Sequence, residues 1–321
     1  MSHVDWLSQL LQMIAITGQL QVRCAYRAPW RVAWPQSAAR EIPYHVVLNG
    51  HAIIEESQTG TVTELAGGDI VLLPHGSSHV LHDGSGNAPA PTSERRTPEG
   101  WTLSENAGDG EPLAMLCGRF LIGSPHDRLM RDYLPTIVLV RTMDGQNGAG
   151  IGTAAIHLAK LVALMRMESA SERPGVHAIL NALASALFAL ALRAASESRR
   201  APAGLLALTG HPRLAPAISA MFAEPARPWT LPVLAELCSM SRATFMRHFQ
   251  DKLGRTAFDL LTDIRMSMAA NELQKATMTT EAVADSVGYR SVAAFRRAFT
   301  DRMGMTPAQW RHMAREASHT P

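Results

Sequence analysis

The spacing of apolar and polar residues changes along the chain. Over residues 3–17, Trp6, Leu10, Met13 and Ile14 recur at helical spacing, which predicts a short amphipathic helix. From about 20 to 83 the pattern becomes short β-type runs at 20–26, 44–48, 52–55, 61–65, 70–73 and 79–82, punctuated by Gly, Pro and Asn. Such spacing predicts a small sandwich or barrel. Residues 84–112 are rich in Pro, Gly and Ser and read as a mobile loop. A further strand over 113–120 re-enters the sheet. Beyond about 126 the period is helical: 149–167 and 175–196 are long, Ala/Leu-rich and apolar over a wide face. A face of that width suits helix–helix packing and a dimer interface. Residues 201–226 read as a linker with a helix over 212–222.

The C-terminal region contains an internal duplication. Residues 231–254 and 279–304 each read as a short helix with a small packing residue (Ala235, Ala284) and a turn. Each then has a second helix opened by Ser241 or Ser291, an N-cap residue type. Phe245/Phe249 and Phe295/Phe299 form an inward stripe at i,i+4, and Gly254 and Gly304 are placed as C-cap glycines. With the phenylalanines inward, the opposite face projects Arg242, Ala243, Met246 and Arg247 in one copy. In the other it projects Val292, Ala293, Arg296 and Arg297. Arginine can pair with guanine O6/N7 in a major groove, and apolar side chains can meet thymine methyls. Ser241, Thr244 and Ser291, at helix N-termini, suit phosphates. The alternative for these arginines is a solvated charged face. Tyr289 is expected to pack at a turn and Cys238 to be a buried structural thiol.

The two copies, about 50 residues apart and joined by an amphipathic helix over 258–274, resemble the AraC/XylS family of transcription regulators over residues 212–313. The closing signature G-x-T/S-P-x-x-Y/W-R is matched by Gly304, Thr306, Pro307, Trp310 and Arg311, and the linker-helix pattern by Arg265, Met266, Ala269 and Leu273. Ala257 departs from the proline usual in the first copy. The resemblance implies two helix-turn-helix units entering successive major grooves of double-stranded DNA, with RNA polymerase as a further partner.

Composition and charge fit this picture. The chain has 321 residues, 46% of them hydrophobic, and a net charge of +2. That length suits about two domains. From Arg227 onward there are 13 Lys+Arg against 9 Asp+Glu, a net of +4, so the remainder (17 against 19) carries −2. A basic C-terminal third suits a polyanion. No apolar run reaches membrane-spanning length: 179–192 is interrupted by Asn181 and Ser185. With no secretory signal pattern, the expectation is a cytoplasmic protein with no membrane partner. Three cysteines, Cys24, Cys117 and Cys238, do not make a secreted disulfide framework.

In the β-rich segment, Gly68 to His79 carries G-x5-P-x-G-x2-H and resembles the second cupin motif, while of the first motif's histidine pair only His45 remains, followed by Gly50 and Glu55. Cys24, His45, His79 and Cys117 could converge. Two thiolates and two imidazoles suit tetrahedral zinc or another soft divalent metal; two nearby thiols could instead form a reversible disulfide; or all four could be inert core residues. His51, His75 and His82 are expected at the surface. The layout resembles the cupin-sensor subfamily that includes reactive-chlorine-sensing regulators, through Cys24 and Trp30 in C-x5-W, the lone His45, and Cys117-Gly118. That implies a redox or electrophile sensor.

The expected architecture is α+β. A cupin-like sensor domain spans 1–125, a helical dimerisation or linker region 126–210, and an all-α DNA-binding domain with two helix-turn-helix units 211–321. The expected function is a homodimeric, non-enzymatic, sequence-specific transcription regulator that answers a small effector, a metal or an oxidant. The alternatives are a cupin metalloenzyme carrying a DNA-binding domain, and a constitutive DNA-binding protein that senses nothing.

Overall fold

The computed structural model describes residues 5–98, 100–123, 126–142, 153–171, 173–198, 201–275 and 277–319. Within them the elements run α1 (Trp6–Ile14), β1 (Thr17–Arg27), β2 (Arg31–Trp34), β3 (Glu41–Asn49), β4 (His51–Glu56), β5 (Val62–Ala66), β6 (Ile70–Leu72), β7 (His79–His82), β8 (Thr92–Arg96), β9 (Thr102–Asn106), β10 (Pro112–Leu121), α2 (Asp127–Tyr133) and β11 (Val138–Val140). Then follow α3 (Thr153–Ser169), α4 (Val176–Glu197), α5 (Leu205–Thr209), α6 (Ala215–Ala223), α7 (Leu231–Leu237), α8 (Arg242–Leu253), α9 (Ala257–Lys275), α10 (Thr280–Ser286), α11 (Val292–Met303) and α12 (Pro307–His319). They form two compact units: Ile16–Gly123 with Met130–Pro202, and Met1–Ala15 with Ser124–Leu129 and Ala203–Pro321.

In the β-rich unit, one sheet has the order β11-β6-β3-β10-β1-β9-β8 and the other β2-β7-β4-β5. Side chains alternate along each strand. One face of each sheet therefore feeds a shared core that includes Cys24, Val47 and Met115 from the first sheet and Ile54, Leu65 and Leu81 from the second. β1 and β10 pair antiparallel over their full length, from Thr17↔Leu121 to Arg27↔Pro112. β9 joins the other side of β1 only at Val22–Ala25, which leaves the amides of Gly18 and Leu20 without a strand partner on that side. Helix α4 supplies one: Gly18 N–H donates to Ser185 Oγ at 2.8 Å and Leu20 N–H to Asn181 Oδ1 at 2.9 Å. The two polar residues that interrupt the apolar run of α4 thus satisfy buried backbone donors. A Cβ on Gly18 would collide with the backbone at Ala184, so the glycine sets how closely helix and strand approach. Helix α4 is long and apolar enough to cross a membrane, and its buried positions, Leu180, Ala184, Leu187 and Phe188 among them, are core positions here.

Residues 84–112, expected as a mobile loop, instead carry β8 and β9, which pair with each other and add a parallel edge to β1. The period-2 signal was missing because all five residues of β8 are exposed. β2 and β11 also escaped sequence reading, being four and three residues long. Of the histidines expected at the surface, His51 is exposed, His75 is partly buried with Nε2 on the Leu134 carbonyl at 2.9 Å, and His82 is partly buried beside Glu55 at 3.2 Å. The expected start of the central helix at 149 lies outside the described residues.

Helix α1 belongs to the helical unit rather than to the barrel that follows it in sequence. Asp5 opens it by accepting from Leu7 N–H at 3.1 Å and Ser8 N–H at 3.3 Å, and Ala15 ends it in the left-handed region. Its buried stripe, Leu7, Leu10, Met13 and Ile14, packs beside Trp6, whose ring lies 6.5 Å from Phe222 of α6. Asn271 of α9 ties this arrangement together: its Nδ2 donates to the Met13 carbonyl at 2.9 Å and its Oδ1 accepts from His126 Nε2 at 2.9 Å.

The duplication is confirmed in detail. Ser241 Oγ accepts from Thr244 N–H at 3.2 Å, and Ser291 Oγ from Ala294 N–H at 3.3 Å. Gly254 and Gly304 close α8 and α11 at φ 68° and 73°. After each glycine comes a reciprocal cap. Thr256 and Asp259 exchange backbone–side-chain bonds at 3.2 and 3.1 Å before α9, and Thr306 and Gln309 do so at 2.9 and 3.3 Å before α12. Pro307 opens α12, where its fixed φ suits the first helical turn. Ala257 opens α9 without that advantage, and the cap at Thr256 performs the same task. Phe295 and Phe299 are fully buried against α9 and Trp310. Arg302 braces the same helix through Asp259 at 2.9 Å and Asp263 at 3.2 Å.

Candidate functional site

The barrel brings Cys24, Cys117, His45 and His79 together. Cys117 on β10 lies directly opposite His45 on β3. On the other side Cys117 pairs with Val22 of β1, and Cys24 pairs with Met115, so the two cysteines are diagonal neighbours on one sheet face, within contact reach. His79 comes from β7 of the second sheet. Cys24 Sγ is 3.8 Å from Cys117 Sγ, Cys117 Sγ is 3.0 Å from His45 Nδ1, His45 Nε2 is 2.7 Å from His79 Nε2, and His79 Nδ1 is 2.8 Å from the Ser77 carbonyl. All four side chains are at most 1% exposed.

Burial dominates the electrostatics. It pushes the Cys117 thiol well above its ordinary value, with Cys24 adding to the rise. It holds His45 well below its ordinary value, with His79 adding to the fall. His79 is lowered by burial as well, opposed by its bond to the Ser77 carbonyl and by the Glu56 carboxylate. Glu56 itself is 0% exposed and stays anionic through bonds from the amides of Gln58 and Thr59 and from the Thr59 hydroxyl. The resting site is therefore neutral thiols and neutral imidazoles, with one anion behind His79.

Zinc held by all four side chains, one of the three alternatives, does not fit this arrangement. A sulfur separation of 3.8 Å suits two thiolates on one zinc ion. His45, however, turns one nitrogen to Cys117 and the other to His79. The two ring nitrogens point in different directions, so the sulfurs and His79 lie on opposite edges of that ring. Among the described residues, no group of three or more His, Cys, Asp or Glu side chains is arranged to hold a metal.

Trp34, not singled out in the sequence, covers the imidazoles. Its ring is parallel to His79 within 3° at 6.2 Å and edge-on to His45 at 5.3 Å. Trp34 also lines a polar cavity of about 450 Å³, together with Val22, Arg96, Arg119 and His177 among others. Val22 and Arg119 lie two residues from Cys24 and Cys117 on the same strand faces, so part of the cavity lining adjoins the thiols.

The second candidate surface is on α8 and α11. Arg242, Ala243, Met246 and Arg247 are exposed in one copy; Ser291, Ala293, Arg296 and Arg297 in the other. Val292, expected on this face, is half-buried. Gln250 and Thr300 are also exposed, four residues after Met246 and Arg296; the i,i+4 spacing was the available signal. The oxygens of Ser241 and Ser291 are occupied as helix caps. Arg296 is 3.4 Å from Glu281, both well exposed. Tyr289 is half-buried against Phe295, with Arg265 5.9 Å from its ring. Cys238 ends α7 at 2% exposure, its thiol raised by burial.

Comparison with known proteins agrees with both halves. Residues 5–197 match a family described as Cupin, and residues 234–313 match one described as Helix-turn-helix domain. The RCS-specific HTH-type transcriptional activator RclR of Escherichia coli (strain K12) is 27% identical across 98% of this chain and 99% of its own. The HTH-type transcriptional regulator MtrA of Neisseria gonorrhoeae is 27% identical across 96% of this chain and 98% of its own. Among solved structures, the DNA-binding domain of AdpA in complex with a target DNA is similar at 26% identity and a TM-score of 0.32, over 34% of this chain and 98% of that one. The chain belongs to the cupin family through residues 5–197, carries a C-terminal helix-turn-helix domain, and is a DNA-binding transcriptional regulator of the AraC family.

Proposed function

We propose that this regulator answers a two-electron oxidant through Cys24 and Cys117, whose oxidation to a disulfide changes its affinity for promoter DNA. The observation that carries the reading is the contact of two buried thiols at 3.8 Å from adjacent strands, with an imidazole on one of them. A disulfide needs a sulfur separation near 2 Å, so bond formation draws β1 and β10 together and biases a two-state element. The relative RclR, named RCS-specific, supports an electrophilic chlorine oxidant as the signal. RclR and MtrA both bear the names of transcription regulators, which supports a non-enzymatic role.

In the same reading, α8 and α11 enter successive major grooves of double-stranded DNA with Arg242, Arg247, Arg296 and Arg297 toward base edges and phosphates. The protein works in the cytoplasm with RNA polymerase. It is a homodimer through α3 and α4, where Ile156, Leu164, Met167 and Ile179 are 38–65% exposed. Exposed large apolar side chains on two packed helices suit an association surface.

The test is promoter binding and transcription with and without hypochlorous acid in the wild type, Cys24→Ser and Cys117→Ser. The wild type responds and both variants are locked. A wild-type response in both variants, or identical wild-type binding under both conditions, refutes the redox reading; the latter outcome is what a constitutive DNA-binding protein gives.

A further inference from the structure

We infer that Cys117 is the attacking thiol, His45 its general base, His79 the residue that positions His45 as a base, and Cys24 the resolving thiol. This rests on the redox reading and gives each of the four residues a different task.

The Ser77 carbonyl only accepts, so the His79 Nδ1 facing it at 2.8 Å carries the hydrogen. A neutral imidazole has one N–H and one lone pair, so His79 Nε2 is the acceptor. The nitrogen 2.7 Å away, His45 Nε2, must then donate. That leaves the lone pair of His45 on Nδ1, aimed at Cys117 Sγ at 3.0 Å. Cys117 S–H donates to it, and Cys24 lies against Cys117 at 3.8 Å. One backbone carbonyl thereby fixes the direction of every hydrogen bond in the row. A nucleophile, a base in contact with it and a third group orienting the base make up the arrangement by which weak nucleophiles are activated. Cys24 reaches the base only through Cys117, which separates the roles of the two thiols.

The same row provides for the charge that forms. When Cys117 gives its proton to His45 Nδ1, the His45 Nε2 proton can pass to His79 Nε2. The positive charge then sits next to the anionic Glu56, whose strand position pairs with His79. Other groups facing the site do not take this proton. Tyr26 is bonded to Ser104 at 2.7 Å and is held in its protonated form by burial. Burial of both partners keeps the thiolate–imidazolium pair a minor state, which favours reaction with strongly electrophilic oxidants over weak ones.

A hypohalous acid enters from the cavity that Trp34 and Val22 line. The Cys117 sulfur donates an electron pair to the halogen; the S–halogen bond forms and the halogen–oxygen bond breaks. The departing hydroxide takes the proton on His45 Nδ1 and leaves as water, and His79 returns its extra proton to His45 Nε2. The Cys24 sulfur then attacks the Cys117 sulfur; the S–S bond forms, halide leaves, and the Cys24 proton departs with it. Two thiols and one hypohalous acid give one disulfide, water, halide and a proton.

The test uses the full-length protein with hypochlorous acid as probe, quenched at intervals and read by peptide mass spectrometry across a pH series. In the Cys24→Ser background Cys117 is oxidised rapidly, whereas in Cys117→Ser the remaining Cys24 reacts at least about tenfold more slowly, a modest share of what a positioned base provides. Adding His79→Leu to Cys24→Ser slows Cys117 by a similar factor and shifts its pH–rate profile. His79→Gln, whose carbonyl accepts from His45 Nε2, restores the rate to within about threefold. Equal reactivity of the two single thiols, which needs no His79 variant to fold, overturns the assignment. An unchanged Cys117 rate in His79→Leu overturns the positioning role. If Cys117 reacts with these rates while promoter binding ignores the oxidant, the regulatory reading fails and the chemical assignment stands.

Discussion

Cys117 and His45 face each other across the β3–β10 ladder, sulfur to ring nitrogen at 3.0 Å, in a core where neither is more than 1% exposed. Both are neutral at rest for the same reason, burial. That shared cause gives the barrel a stability profile with two limbs.

His45 and His79 are held below the ordinary histidine value, so on acidification the unfolded chain takes up these protons first. Their contribution to stability is complete above about pH 6.5 and falls away below it. Cys117 is raised, so on the alkaline side the unfolded thiol ionises first and stability falls above about pH 8.5. A melting temperature with a plateau between those limits is expected, with a shallower acid limb in His45→Gln. Melting temperatures that do not change between about pH 7 and about pH 5 would contradict this account.

Gly118, next to Cys117, lies opposite Tyr44 in the β10–β3 ladder. A Cβ there would run into the Gln19 carbonyl and the Tyr44 ring. Gly118→Ala should lower stability by about 1–3 kcal/mol, the usual cost of overpacking. Calorimetric unfolding of the variant checks this, and unchanged stability would show that both the Gln19 backbone and the Tyr44 ring can move aside.

Arg296 is exposed and paired with an equally exposed Glu281, a kind of ion pair worth little to folding. Arg296→Ala should leave the melting temperature unchanged. It should weaken specific DNA binding by about 1–3 kcal/mol if the guanidinium reads a guanine. Fluorescence anisotropy at fixed salt measures this, and a promoter affinity equal to wild type removes Arg296 from the reading face.

Ile156 and Met167 on α3 are 45% and 65% exposed. The double variant Ile156→Glu, Met167→Glu should place charge on the proposed association face and shift the protein to monomer in sedimentation, with the barrel still folded. A dimer of unchanged strength would place the interface elsewhere.

The helical half was legible because its signals are local. Ser241, Phe245, Phe249 and Gly254 declare a capped helix, its inward face and its stop within fourteen positions, and the repeat over Ser291 to Gly304 doubles the signal. The barrel was legible in its longer strands and in the four residues that converge. What sequence reading missed was long-range. The pairing of Cys117 with His45 depends on a strand register that no local pattern encodes. The strand carrying Trp34 is four residues long and runs up to Pro35. The orientation of His45 depends on a backbone carbonyl, which has no letter in the sequence. The choice among the three alternatives for these four residues turns on the same point, since residue types suit a metal while ring orientation does not.

β1 and β10, which hold the two sulfurs, end side by side at Thr17 and Leu121. The chain ahead of Thr17 is α1, and the chain beyond Leu121 leads to His126; Asn271 of α9 grips both segments, one by Met13 and one by His126. α9 is the helix between the two DNA-reading copies. The two strands that carry the thiols are thus continuous in sequence with the two segments that one asparagine holds.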